Sequence, residues 1–188
     1  MKKMETIKLW NHPESANTGN PADDFEPYFE TYLLDKSQPL RGAVVVCPGG
    51  GYSCRAPHEA APIALKFNEL GFHAFVVHYR VAPYRFPAPQ RGHLTACAGT
   101  LFNEIDANAG DEADAYPQRP DAIIPCYPVI SFSKWGHSGS GINLLGERLG
   151  DLGERYSLET RVPPETPPAF LWHTATDGSV PIRNSMEF

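Results

Sequence analysis

Ala43-Val44-Val45-Val46-Cys47-Pro48-Gly49-Gly50-Gly51-Tyr52 is the stretch from which the fold is read. Its first half is a short, continuous apolar run rich in β-branched side chains. Such a run predicts a strand buried on both faces, as a parallel sheet requires. Pro48 and three glycines then stop it sharply. Downstream, a helix is expected from about Ala61, with Pro62 tolerated in its first turn. Ile63, Phe67 and Leu70 fall at i, i+4 and i+7 as one apolar stripe, and Gly71 supplies the C-cap. Phe72 to Tyr79 reads as the next strand. Strand, helix, strand predicts a right-handed parallel crossover. Upstream, Phe29 to Leu34 alternates loosely and predicts an entry strand on an antiparallel edge.

Past Tyr79 the chain runs through Pro83, Pro87 and Pro89 as loop. Leu94, Ala98, Leu101 and Ile105 then share one helical face, closed near Gly110. Ala122 to Tyr127 reads as a third core strand, although Pro125 argues against it. Residues 131–168 form a Gly- and Pro-rich excursion of the length found in lids, caps or binding loops. Ala169 to His173 is a fourth strand, followed by Asp177 and a helix opening at Pro181. No internal repeat is present. Residues 1–188 thus read as one α/β domain, with 131–168 a lid-like or cap excursion.

Composition narrows the function. The 188 residues suit a single core. Gly 16 and Pro 19 together stay below the roughly 25–30% at which low complexity sets in. A net charge of -6 leaves no basic stretch for nucleic acid. A small neutral or apolar substrate suits this balance. Met1 to Lys8 opens with lysines but has no apolar segment behind them, and no apolar run approaches the roughly 18 residues of a membrane helix. Cys47, Cys54, Cys97 and Cys126 form no CxxC pair and no zinc-ligand spacing, so no metal or other cofactor is expected. Three of them stand among apolar or small residues, where buried free thiols are common. A reduced cytoplasmic setting follows.

Two features carry chemistry. Pro48-Gly49-Gly50-Gly51-Tyr52 follows a strand and can turn tightly, bringing backbone N–H groups close to a ligand. Acyl transfer needs such donors, because charge builds on the carbonyl oxygen in the tetrahedral intermediate. A phosphate cradle or a mere turn would look similar, but GxGxxG and GxxxxGK[ST] are absent. Asp177 follows the fourth strand, where catalytic carboxylates sit in open α/β sheets. Asp177-Gly178 is equally a common turn pair.

An ordered set of motifs sharpens this picture. It comprises Pro48 to Tyr52, His58-Glu59, Tyr79 to Pro83 with Pro87-Ala88-Pro89, Arg119-Pro120-Asp121, Tyr127 to Ile130, Asn143 to Gly146, and Thr166-Pro167-Pro168. The set closes with His173-Thr174-Ala175, Asp177, Val180-Pro181 and Asn184-Ser185. In this order the chain, from about Tyr28, resembles bacterial α/β-hydrolases related to acetyl xylan and feruloyl esterases. The resemblance implies a three-layer sandwich around a mostly parallel sheet. It also implies a small-molecule ester substrate, with small acyl groups carried by sugars or short alcohols, with Gly50 and Gly51 as oxyanion-hole donors and Asp177 as the triad acid.

The same resemblance exposes what is missing. The family's serine stands in a Gly-x-Ser-x-Gly elbow on a strand-to-helix turn. Here Arg91 passes straight into Gly92-His93-Leu94, which matches only the tail of that signature. The intervening unit takes about 30 residues or more, and there is no room for it. The sequence also ends before the family's last strand and triad histidine. No nucleophile and no catalytic histidine are therefore expected. Ser53, Cys54 and Ser179 read as loop residues, and His58, His93 and His173 as local partners. Without the elbow strand, its neighbours are left with open edges, and a strained or marginal fold is expected.

Overall fold

The computed structural model describes residues 4–9, 25–35, 41–83, 94–104 and 112–188. The chain divides into two units, Met1–Gly92 and His93–Phe188. The first holds β1 (Thr6–Lys8), β2 (Tyr28–Tyr32), β3 (Ala43–Val46), α1 (Ala61–Glu69) and β4 (His73–His78). Its sheet order is β1-β2-β4-β3: β3 and β4 run parallel, while β2 is antiparallel to both β4 and β1. The strand–helix–strand crossover expected around α1 is present. The second unit holds α2 (Leu94–Thr100), α3 (Ser138–Leu145), α4 (Leu149–Leu152) and α5 (Arg183–Met186). In it, Ile123 pairs with Ala169 and Cys126 with Trp172 as isolated parallel bridges. The Arg91–Gly92 junction, His93, Pro87, Pro89, Ile105 and Gly110 lie outside the described residues.

Several expectations need correction. The entry strand, β2, is not on an edge, because the short, exposed β1 pairs outside it. The apolar stripe of α1 is shifted. Ala64 is fully buried, and Ala60, Ala61 and Phe67 pack on the cluster of Tyr32, Val46, Ala74 and Val76. Ile63 and Leu70 are 41% and 52% exposed, so only Phe67 of the expected stripe touches that core. Small side chains let α1 approach the sheet, and they define the buried face better than the large ones do.

β3 is not buried on both faces. Only Val46 is buried, and Val45 is 54% exposed. Val46 belongs to the cluster beneath α1, with Val44 packed against it, whereas Val45 points to the opposite face of the sheet. The expected third and fourth strands shrink to bridges, held by bonds such as Phe170 N–H to the Ile123 carbonyl at 3.0 Å. Pro125 offers no N–H there, although its carbonyl accepts from Trp172 N–H at 3.2 Å. Ile123 and Pro125 face inward, whereas Ile124, Phe170 and Trp172 lie exposed. No cysteine is buried: Cys47 and Cys97 are intermediate, Cys54 and Cys126 exposed, and all four are free thiols.

The helix expected over Leu94 to Gly110 is helical from Leu94 to Thr100, followed by a single 3₁₀ turn at Phe102–Glu104. Its Ala96 joins Ile130 and Leu158 in the core of the second unit. Two buried side chains fix the 131–168 excursion there. Ser157 accepts from Phe132 N–H at 2.9 Å and donates to the Gly153 carbonyl at 2.8 Å. Asn184 accepts from the N–H groups of Ile130 and Ser131 at 2.9 and 3.0 Å. It donates to the carbonyls of Trp135 and Pro181 at 2.8 and 3.0 Å. All four hydrogen-bonding positions of its amide are thereby filled.

Candidate active site

The glycine loop begins where β3 ends, and its shape follows from its backbone angles. Gly50 has φ +131°, and Gly51 and Tyr52 follow at +58° and +64°. Such angles are open to glycine but cost a residue with a Cβ, such as Tyr52, about 1–3 kcal/mol. That cost is met locally. The Gly50 carbonyl accepts from Ser53 N–H at 3.1 Å, Cys54 N–H at 3.3 Å and the Ser53 hydroxyl at 2.9 Å. Tyr52 is 4% exposed, and its carbonyl accepts from Ala82 N–H at 2.6 Å.

Two side chains hold the loop from below. Glu59 Oε2 accepts from Gly49 N–H at 2.7 Å, so the first glycine donor is already engaged. The Tyr79 hydroxyl donates to the Pro48 carbonyl. Burial, more than the nearby Cys47, pushes that phenol well above its ordinary range and keeps it a donor. Sequence reading placed Glu59 and Tyr79 in motifs without giving them these roles. The Gly50 N–H has no partner among the described residues. An oxyanion donor must be free in this way. His58 stands in a 3₁₀ turn with its side chain 80% exposed, 3.6 Å from Glu59.

Asp177 belongs to the second unit. Its Oδ1 accepts from Ser179 N–H at 2.8 Å and Val180 N–H at 2.9 Å. These bonds, Val180 first, hold its carboxyl below the ordinary range, with a smaller contribution from His173. The turn reading of Asp177-Gly178 and an ionised acid are thus compatible at one residue.

A serine, a histidine and this aspartate do line up. The Ser185 hydroxyl is 2.7 Å from His173 Nδ1, and Asp177 Oδ2 is 3.6 Å from His173 Nε2. Three features describe how these side chains are held. His173 Nε2 donates to the Val180 carbonyl at 2.9 Å, which leaves Nδ1 to accept from Ser185. The imidazole side chain is only 3% exposed. Ser185 lies inside α5, where the next two N–H groups are spent on Ile182 and Arg183 carbonyls. No donor adjacent to it could receive an oxyanion. A second close pair, His137 Nδ1 and Ser140 Oγ at 2.9 Å, is the N-cap of α3, with Ser140 buried.

Gly50 and Gly51 therefore stand in the first unit and Asp177 in the second. Among the described residues, no three His, Cys, Asp or Glu side chains group as metal ligands.

An acetyl ester-xyloside bifunctional hydrolase from Caldicellulosiruptor lactoaceticus is 37% identical. The match has a TM-score of 0.86 and covers 98% of this chain and 79% of that one. A lipase/esterase from Lactobacillus plantarum shares the fold at a TM-score of 0.70 and 22% identity, over 99% of this chain and 85% of its own. Endo-1,4-beta-xylanase B of Butyrivibrio fibrisolvens is 29% identical over 184 residues, covering 79% of this chain. The chain spans only 29% of that xylanase's length. No family model matches.

The xylanase alignment is informative in one further way. Since 79% of 188 residues is about 148, about 36 of its 184 positions have no counterpart here.

Proposed function

Because this chain belongs to the α/β-hydrolase esterases, we propose that its fold was built around small carboxylic esters, carried by sugars or short alcohols, and that the chain itself does not cleave them. In an intact relative of this kind, a serine attacks the ester carbonyl and a histidine relays the proton. The positions of Gly50 and Gly51 then hold the oxyanion, and that of Asp177 orients the imidazole.

The observation that carries the reading is the passage from Arg91 directly into Gly92-His93-Leu94, with no Gly-x-Ser-x-Gly anywhere in the sequence. Two facts support it. The xylanase alignment leaves about 36 positions unmatched, room enough for a strand–turn–helix unit. The boundary between the two units, Gly92 to His93, adjoins the same junction. The Gly50 N–H can then donate to an ester carbonyl, but no serine elbow supplies a nucleophile to attack it. Loss of the nucleophile alone costs on the order of 10⁶ in kcat.

The excursion at 131–168 serves in this reading as a fixed cap, pinned by Ser157 and Asn184, on one incomplete domain. Four free thiols fit a reduced cytoplasmic setting.

Hydrolysis of p-nitrophenyl acetate tests the proposal. We expect the chain to match the buffer rate, and Asp177→Ala to leave that rate unchanged. Saturable turnover abolished by Asp177→Ala would show a working triad and refute it. A binding role without chemistry is the second reading, favoured by the partnerless Gly50 N–H. It predicts saturable binding of an acetylated sugar with no product released.

A further inference from the structure

We propose, resting on the reading of the glycine loop as an oxyanion cradle, that Glu59 is a positioning residue: its carboxylate fixes the direction in which the Gly50 N–H meets an ester carbonyl. A trans peptide unit is planar, so its C=O and N–H point in opposite directions. Whatever grips the carbonyl of such a unit therefore also aims its N–H. In this loop successive units are gripped in turn. The Pro48 carbonyl accepts from the Tyr79 hydroxyl, and the Gly49 N–H of the same unit donates to Glu59 Oε2 at 2.7 Å. In the next unit the Gly49 carbonyl accepts from Ala56 N–H at 2.9 Å, which turns the Gly50 N–H away from Ala56. A carboxylate acceptor makes the stronger bond of such a set.

Two further observations tie Glu59 to this place. Gly50 and Gly51 have positive φ, but Gly49 does not, so its backbone angle does not call for glycine. Space does. A Cβ at Gly49 would stand 2.7 Å from Glu59 Oε2, so the first glycine of the run makes room for the carboxylate. Glu59 is also anchored to the same turn, because its own N–H donates to the Ala56 carbonyl at 3.1 Å. Ala56 and Glu59 thus hold Gly49 from two sides, one at the carbonyl and the other at the N–H. Release of either side would let the Gly50 donor swing.

Amide NMR on the full chain, titrated with a monoacetylated methyl xyloside, tests this. In the parent chain the Gly49 amide should be protected from hydrogen exchange, and the ester should shift the Gly50 amide. Glu59→Ala should release Gly49 to exchange and weaken ester binding about tenfold, the scale of one charge-assisted hydrogen bond. Glu59→Gln keeps an acceptor of the same reach and should bind within about threefold of the parent. Glu59→Asp, one methylene shorter, should behave as Glu59→Ala. Gly49→Ala displaces the same carboxylate, so combining it with Glu59→Ala should weaken binding no further than either alone. A role in stability alone would leave the affinity equal in all folded variants. An unprotected Gly49 amide in the parent, or parent-like affinity in a folded Glu59→Ala, would overturn the proposal. An ester that leaves the parent's Gly50 amide unmoved would refute the oxyanion reading itself, and the proposal would fall with it. Should Glu59→Ala fail to fold, parent-like affinity in Gly49→Ala would overturn it alone.

Discussion

Gly50→Ala is expected to destabilise the protein by roughly 3–5 kcal/mol, lowering its melting temperature by about 10 °C. Two independent penalties combine. The residue sits at φ +131°, which side chains with a Cβ rarely adopt. A methyl group there would also stand 2.4 Å from the Cys54 carbonyl oxygen and 2.8 Å from its sulfur. The sulfur belongs to a side chain and can turn away. The carbonyl cannot, because it is backbone in the turn that Ser53 and Cys54 N–H close onto Gly50. Relief would require the loop to open, which also frees Gly49 from Glu59. Denaturant unfolding followed by circular dichroism measures the effect. A loss below about 1 kcal/mol would mean that the loop does not hold this shape.

The second large effect is expected at Asn184. Asn184→Leu keeps the branched outline of the side chain but strands the N–H groups of Ile130 and Ser131 and the carbonyl of Trp135, while the Pro181 carbonyl keeps the backbone N–H of residue 184. The residue is 1% exposed, so water has little access to replace the lost partners. At about 1–3 kcal/mol for each stranded group, and allowing for relaxation, the loss should reach about 4 kcal/mol. Glu187→Gln is the matched control. It breaks only the exposed pair with Arg183 and should cost under about 1 kcal/mol. Equal stability of the two variants, read by the same denaturant titration, would contradict the role assigned to Asn184.

What could be read from the sequence depended on scale. The crossover from β3 through α1 to β4 was legible, because an apolar run, a helical repeat and Gly71 each mark one element locally. β1 was not, because Thr6-Ile7-Lys8 is only three residues long and exposed throughout. The buried face of α1 was misjudged because Ala64 buries completely while the larger Ile63 and Leu70 face outward. Hydrophobic size does not reveal helix phase when the contact is close. β3 reads as a central strand and lies at an edge of the sheet formed by the described residues, since a strand's own residues cannot say whether a neighbour is present.

The candidate site divides similarly. Three consecutive glycines announce a tight loop, and Asp177-Gly178 announces a turn, from local composition alone. The partners that shape them are less visible. Glu59 lies ten residues from Gly49, Tyr79 lies 31 from Pro48, and Asn184 lies 54 from Ile130. Such contacts exist only once the chain has folded. The Ser185–His173–Asp177 alignment was likewise invisible in sequence, and its chemistry is decided by where each hydrogen bond goes.

The central claim is that this chain carries the fold of an esterase without an activated nucleophile. Incubating it with a fluorophosphonate and measuring its intact mass tests that directly, because the reagent labels only an activated hydroxyl or thiol. The expected mass is that of the unmodified chain. A stoichiometric phosphonyl adduct, lost in Asp177→Ala, would contradict the account.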